Sequence, residues 1–362
     1  MHLTTLPFRR AALCAAAFAL AALAGQAQAA TCTWTGTGGN NNTSTVANWN
    51  CAGGPVMGDT LVFPASAVNK IVQYDSFITV VDASFAPGYQ VSGTLWFSNL
   101  LDITAPLAAS TAIFSGESTG SVSIHGSGLA EINALANIEP PASIQVMGGA
   151  HARVTMTSSV APTPIAVGTG SRFSAGQGVT ASALTVAAGG TLAVSEPPTG
   201  AAVGSTVGSL TVTGATTFAA GSTFEYLAST TYDPGRLQAQ NGLALNGATL
   251  RIVVEDPANP DAIGYMRTLA AYADSSHLTG RFAGLPATGS LVQASNAPGI
   301  WYSVSYGVNS NAFVQITRVA APAVPPSGPG VASVPTLGHA ALALLSMVVA
   351  GVGALRRKTR ST

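Results

Sequence analysis

The chain has 362 residues, of which only 8% are charged and 47% are hydrophobic, and its formal net charge is zero. All 14 acidic residues lie between Asp59 and Asp274, whereas six of the 14 basic residues lie near the two ends, so the middle of the chain carries a net charge of −6. Nucleic-acid binding needs a basic face, and this charge balance argues against it.

The first 29 residues have the layout of a secretory signal peptide. Arg9 and Arg10 precede an apolar run of 14 residues, 11–24, and Ala27 and Ala29 form a small-x-small pair. The run is too short for a membrane span, whereas a basic start, a short apolar core and a small-x-small site are typical of export signals. We therefore expect passage through the secretion translocon and cleavage by signal peptidase after Ala29.

Two cysteines remain once the predicted signal, which contains Cys14, is removed. They are Cys32 and Cys51. An even pair in an exported chain indicates a disulfide. The weaker alternative is a metal pair, but no nearby histidine or second cysteine pair completes such a site. The sequence thus predicts a Cys32–Cys51 disulfide and no metal site.

Residues 30–320 contain a repeat with a period near 21 residues. Apolar-x-apolar pairs recur with steps of 22, 21, 19 and 26 residues, at Val122/Ile124, Ile144/Val146, Ile165/Val167, Leu184/Val186 and Leu210/Val212. Glycines follow in phase at Gly128, Gly149, Gly170 and Gly190. Period two places one face of each strand inward, and glycine permits positive-φ corners. The pattern predicts an all-β fold, a right-handed parallel β-helix of stacked coils, with a two-sheet β-sandwich as the alternative.

Two flanks of this repeat carry a family resemblance. Thr33-Trp34-Thr35-Gly36, Ala47-Asn48-Trp49 and Gly58–Phe63 resemble the opening of secreted autotransporter-like β-helix proteins, and Gly221–Tyr226 looks like one of the last coils of such passengers. The resemblance implies that Trp34 and Trp49 pack as a cap over the first coil, because an open β-edge invites aggregation. Stacking of these rings on a sugar is the alternative.

No catalytic constellation stands out in the sequence. Gly116–Gly120 matches the letters of a nucleophile elbow, but a strand pattern follows where that motif needs a helix. Asp261 lies close to Pro257 and Pro260, which indicates a turn rather than a groove. Three central histidines are isolated in sequence: His125, His151 and His277. We expect His151, at a corner of the repeat, to face solvent. We therefore predict no catalytic residue, no cofactor and no enzymatic activity.

The C-terminal region reads as a linker, a short signature, an apolar span and a basic tail. Residues 321–333 are rich in proline, glycine and serine, and residues 338–355 carry no charge. A helix of about 18 residues covers about 27 Å, close to the bilayer core, so 338–355 is predicted to span the membrane. A buried core helix is the alternative. The residues predicted to stop transfer and stay cytoplasmic are Arg356, Arg357, Lys358 and Arg360.

The signature Val334-Pro335-Thr336-Leu337 completes a second resemblance. With the span and tail that follow, it is similar to the IPTL-type C-terminal sorting domains of Gram-negative bacteria. Val334 replaces the usual isoleucine, and 338–340 contain Gly-His-Ala near the position of a usual tryptophan. The resemblance implies recognition by an exosortase-type membrane protease or transpeptidase that cuts near the tetrad and releases or transfers the protein. Residues 334–362 form the predicted sorting signal.

Two functions fit these features. The first is an exported surface or matrix protein with a structural or adhesive role, held briefly at the inner membrane with its body in the periplasm, and with extracellular polysaccharide as a potential partner. The second is a carbohydrate-active β-helix enzyme, a polysaccharide lyase or hydrolase, whose site is assembled across coils. Converging carboxylates in a groove would favour the enzyme, and a uniform Ser/Thr surface would favour the scaffold.

Removal of the signal peptide gives the first test. N-terminal sequencing of the exported protein is expected to begin at Ala30, because signal peptidase requires small residues at its cleavage site. The Ala29→Phe substitution, which places a bulky side chain at this site, should leave the precursor uncleaved. A mature chain that still begins at Met1 would contradict the assignment.

Overall fold

The computed structural model describes residues 29–116, 119–135, 142–157, 162–176, 178–194, 206–307 and 312–322. Ala29 is exposed at the start of these residues. The rest of the predicted signal peptide, the sorting signature, the 338–355 span and the basic tail lie outside the described residues. Within the described ranges, no helix is long and apolar enough to cross a membrane.

The described chain is built almost entirely of short strands, with two 3₁₀ helices, Val46–Asn48 and Ser275–His277. The strands are β1 (Thr31–Thr33), β2 (Thr60–Phe63), β3 (Ile71–Tyr74), β4 (Thr79–Phe85), β5 (Tyr89–Thr104), β6 (Leu107–Gly116), β7 (Ser121–His125), β8 (Gly128–Leu135), β9 (Ser143–Val146), β10 (Ala150–Thr157), β11 (Thr163–Val167), β12 (Arg172–Ala175), β13 (Val179–Val186), β14 (Thr191–Val194), β15 (Thr206–Val207), β16 (Leu210–Val212), β17 (Thr216–Phe218), β18 (Thr223–Ala228), β19 (Asp233–Pro234), β20 (Leu237–Ala239), β21 (Leu243–Ala244), β22 (Thr249–Val254), β23 (Met266–Tyr272), β24 (Leu278–Thr279), β25 (Leu291–Gln293), β26 (Trp301–Tyr306) and β27 (Phe313–Val319).

The strands stack in parallel ladders, as a β-solenoid requires. The first ladder runs β1–β2–β4–β5–β7–β9–β11–β13–β17–β21–β24. The second runs β3–β5–β6–β8–β10–β12–β14–β18–β22, and a third begins later, β13–β16–β20–β23. The predicted solenoid is confirmed, and an antiparallel sandwich is excluded because these pairings are parallel. Its right-handedness stays a prediction.

The predicted repeat marks the first ladder correctly over four coils. Val122 pairs with Ile144, Ile144 with Ile165, and Ile165 with Leu184, all buried in one inward row. The fifth predicted pair was assigned wrongly, because Leu184 pairs with Thr216 whereas Leu210 pairs with Val179 in the third ladder. An apolar-x-apolar pair is found on any strand with an inward face, so the pattern does not say which ladder the strand joins. The coil after β13 contains an extra strand, β16, and Leu210 lies on it, in the third ladder.

The predicted glycine corners also need one correction. Positive φ is found at three of the four: Gly128 (119°), Gly149 (86°) and Gly170 (72°). The positive φ of the next corner belongs to Gly189 instead, at 74°. Gly190 is required for space, because a Cβ there would lie 2.9 Å from the Gly168 carbonyl oxygen.

The N-terminal end is closed by aromatic rings and a disulfide. Trp34 and Trp49 are buried and meet edge to face at 5.1 Å, and Phe63 beneath them stacks on Phe85 at 4.3 Å. Each indole N–H donates to a backbone carbonyl, from Trp34 to that of Asn69 at 2.7 Å and from Trp49 to that of Thr43 at 2.9 Å. The predicted cap is confirmed, and burial leaves neither ring face free for a sugar.

The C-terminal end is closed differently. β23, the last strand of the third ladder, pairs antiparallel with β27, which pairs antiparallel with β26, and β26 with β25. This change of direction covers backbone groups that would otherwise present an open edge.

The predicted disulfide joins Cys32 to Cys51, with Cα atoms 5.1 Å apart. Replacing both residues, in Cys32→Ala/Cys51→Ala, should lower the free energy of unfolding by about 3 kcal/mol, because a closed loop of this length restricts the unfolded chain. Urea denaturation of the variant and of the wild type with and without reductant measures this. Two free thiols by mass spectrometry in the exported wild type would contradict the cross-link.

Candidate functional site

The outward face of the first ladder is largely neutral and polar. One continuous row holds Ser84, Asp102, Ser123, Gln145, Ala166, Thr185, Thr217, Ala244 and Thr279. Parallel in-register stacking places these side chains one above another at the strand spacing of about 4.8 Å. This row resembles the uniform surface expected of a scaffold, and Asp102 is its one charged member.

Asp102 has a partner that sequence reasoning missed. His125, predicted to be isolated, has its Nε2 atom 3.0 Å from Asp102 Oδ1, with both side chains about one-third exposed. The pair forms because β7 stacks on β5, and the sequence separation of 23 residues hides this neighbourhood. A hydrolytic triad would also need a nucleophile on the other ring nitrogen, and within the described residues none bonds to it.

The other two histidines are also partnered. His151 was expected to face solvent, but its Nε2 atom lies 2.7 Å from the hydroxyl of the buried Ser174 on the next coil. His277 lies 2.9 Å from Asp274, which caps the 3₁₀ helix Ser275–His277. Hydrogen bonds lower the pKa of Asp274 to about 2, and the bond from Ser276 contributes more than the bond from His277.

Charged residues on the second ladder form ion pairs across coils. Arg153 on β10 lies 3.6 Å from Glu131 on β8. Glu225 on β18 lies 2.6 Å from Arg172 and 3.1 Å from Arg251. Strand β14 lies between the strands of Arg172 and Glu225. Its residue paired with Glu225 is the small Ala193, which leaves room for Arg172 to reach across. The Glu225 side chain is only 10% exposed, and these two arginines compensate the cost of burying a carboxylate.

The remaining cluster surrounds Asp261. The expected turn is present, since the amide of Asn259 donates to the Asp256 carbonyl at 3.1 Å, but the cavity beside it was not foreseen. Asp261 is buried, and it lines a cavity of about 360 Å³ together with Ser229, Thr230, Tyr232, Pro260, Ala262, Tyr265 and Arg267. The loop between β22 and β23 folds back, so Asp261 meets Arg267, the second residue of β23. The signal available in the sequence was the closeness of Asp261, Tyr265 and Arg267 in a chain poor in charge.

Arg267 lines this cavity and is held by several hydrogen bonds. Its Nε atom donates to Asp261 Oδ2 at 2.6 Å, and its Nη2 atom donates to Asp261 Oδ1 and to the Ser229 carbonyl. Burial alone would lower the pKa of Arg267, but the hydrogen bond and the charge of Asp261 outweigh it, and the pKa is raised. The guanidinium carbon lies 5.0 Å from the centre of the Tyr265 ring, which is 51% exposed.

The described carboxylates are engaged with cations, hydroxyls or amides. Besides the pairs above, Asp59 accepts from the amides of Ala30 and Val56, and Asp82 accepts from Asn99. Over the described ranges, no group of three or more His, Cys, Asp or Glu side chains could hold a metal ion.

Comparison with known proteins bears on the C-terminal region. Residues 332–358 match the IPTL-CTERM motif. The matched segment contains Val334–Leu337, the apolar residues 338–355 predicted to span the membrane, and the basic residues as far as Lys358. The predicted resemblance is thereby confirmed, and such a motif marks a sorting signal of an exported, surface-associated protein. No curated protein and no solved structure matches the chain.

Glu225 provides a test of the ion pairs across coils. Glu225→Gln should lower the free energy of unfolding by about 2 kcal/mol, because it removes the nearly buried charge that pairs with both Arg172 and Arg251. The control Arg251→Ala removes the partner that is 55% exposed, and it should cost less than about 1 kcal/mol. Equal urea midpoints for the two variants would contradict a central role for Glu225.

Proposed function

We propose that this protein is an exported β-solenoid that is sorted to the cell surface or the extracellular matrix through its C-terminal signal and has a structural or adhesive role there. The observation that carries the proposal is the sorting motif at residues 332–358, which follows the β-solenoid body. The Cys32–Cys51 disulfide supports the same route, because structural disulfides persist outside the reducing cytoplasm.

The route begins with export and a temporary anchor. The secretion translocon passes the body into the periplasm, signal peptidase removes residues 1–29, and residues 338–355 form a helix across the inner membrane. The four basic residues after it stay cytoplasmic, because positive charge near a span resists translocation. An exosortase-type protease then cuts near Val334–Leu337. The linker 321–333 between the body and the cleavage site has the proline-rich composition of a semi-rigid spacer.

The body is proposed to act without catalysis. Several features support a scaffold: both ends are capped, an outward row is mostly Ser, Thr, Gln and Ala, and the buried carboxylates of Glu225 and Asp261 are paired with arginines. A glycosidase or lyase of this fold would instead use exposed carboxylates, a pair of them about 5–10 Å apart for glycoside hydrolysis. The enzyme alternative therefore has less support than the scaffold.

Processing can be tested by intact mass and fractionation. In a strain with the sorting protease, the protein should leave the membrane fraction, and its mass should show loss of the chain after the tetrad. In a strain without the protease, the protein should keep its full C-terminus and remain in the membrane fraction. The variant Pro335→Ala/Thr336→Ala should behave in the first strain as the wild type does in the second. Pro326→Ala/Ser327→Ala in the linker is the matched control and should be processed normally.

Two results would contradict this route. One is the same C-terminal mass in both strains. The other is release of the Pro335→Ala/Thr336→Ala variant as efficient as that of the linker control.

A further inference from the structure

The cavity beside Asp261 and Arg267 has features that the proposed sorting route does not use. It lies between residues 229–232, after β18, and residues 260–267, which lead into β23. We propose that this cavity binds a short neutral saccharide segment, which would give the body a ligand of its own. The inference goes beyond the proposed function and is independent of C-terminal processing.

Tyr265 supplies the stacking surface. Its ring is half exposed, although tyrosines are usually more buried than this. The backbone on both sides is fixed, because the amide of Gly264 donates to the Arg318 carbonyl at 2.8 Å and the amide of Arg318 donates to the Tyr265 carbonyl at 2.9 Å. An exposed ring on a fixed backbone loses little entropy when an apolar sugar face packs against it.

The opposite wall is also held in place by hydrogen bonds. The Ser229 hydroxyl donates to Glu255, and its oxygen accepts from the amides of Thr231 at 3.0 Å and Tyr232 at 2.9 Å. These bonds fix the segment that carries the Thr230 and Tyr232 side chains. The cavity is therefore bounded by two pre-organised segments, which lowers the entropic cost of binding.

Arg267 supplies directed donors. Its Nε and Nη2 atoms are engaged by Asp261 and Ser229, whereas within the described chain its Nη1 atom makes no hydrogen bond. A guanidinium is a planar fork that cannot turn once two of its nitrogens are fixed. Its remaining N–H groups, with the hydroxyls of Thr230 and Tyr232, match the ring and hydroxyl oxygens of a sugar.

Charge decides the class of sugar. Asp261 and Arg267 are the two charged side chains that line the cavity, and they form an ion pair. The lining charges therefore cancel, so the site offers no uncompensated cation to a uronate, sulfate or phosphate and suits a neutral ligand. The volume of about 360 Å³ is at the small end for ligand sites, which suits one or two sugar units of a longer chain.

Calorimetric titration of the purified full-length protein tests this inference. The probes are three neutral tetrasaccharides, cellotetraose, maltotetraose and mannotetraose, and one acidic comparator, tetragalacturonate. We expect at least one neutral probe to bind with a Kd of about 1 mM or tighter, and the acidic probe to bind about tenfold more weakly. Tyr265→Ala should weaken the neutral ligand about tenfold, because it removes the stacking ring, whereas Tyr265→Phe should retain most of the affinity.

A matched control separates the cavity from the surrounding surface. Met266→Ala removes an adjacent exposed side chain that does not line the cavity, and it should leave the affinity unchanged. The proposal is overturned if no neutral tetrasaccharide binds, if tetragalacturonate binds more tightly than all three, or if Tyr265→Ala and Met266→Ala have the same affinity. None of these outcomes depends on whether the C-terminus is cleaved.

Discussion

The structure depends on the burial of inward side chains between successive coils. In the first ladder Leu61, Ala83, Leu101, Val122 and Ile144 form one buried row, each in contact with the coil before and after. A single coil cannot bury its own inner face, so each coil is stable only in the stack. The two ends lack one neighbour each, and this is why the tryptophan cap and the antiparallel strands β25–β27 are needed.

The same stacking governs the outer surface. Side chains about 20 residues apart in sequence become direct neighbours, and a charge placed on one coil must be compatible with the residues above and below it. Glu225 between two arginines and Asp102 beside His125 are consequences of this rule. Charge is scarce in the chain, and where it occurs on the described ladders it is mostly compensated across coils, which leaves a largely neutral polar surface on the first ladder.

The body and the C-terminal motif are specified in different ways. The motif at residues 332–358 is one contiguous stretch, so it can be identified from local sequence alone. The body depends on contacts between coils, and at its C-terminal end it contains a cavity built from the turn before β23. The Asp261–Arg267 pair is deeply buried for a surface loop, and its burial costs free energy unless geometry and hydrogen bonds compensate.

The sequence by itself predicted the solenoid, with a β-sandwich as the alternative, and it identified the disulfide and the sorting motif, because strand period, glycine phase, cysteine parity and a contiguous signature are all properties of nearby residues. The tryptophan cap was predicted only through a family resemblance. Only the tertiary structure decided which coil Leu210 belongs to, why Gly190 has no side chain, and which residues face Asp102, Glu225 and Asp261. Those neighbours depend on the length of every intervening coil. A coil that contains one extra strand changes the side on which the next apolar pair lies, and no local pattern records that change.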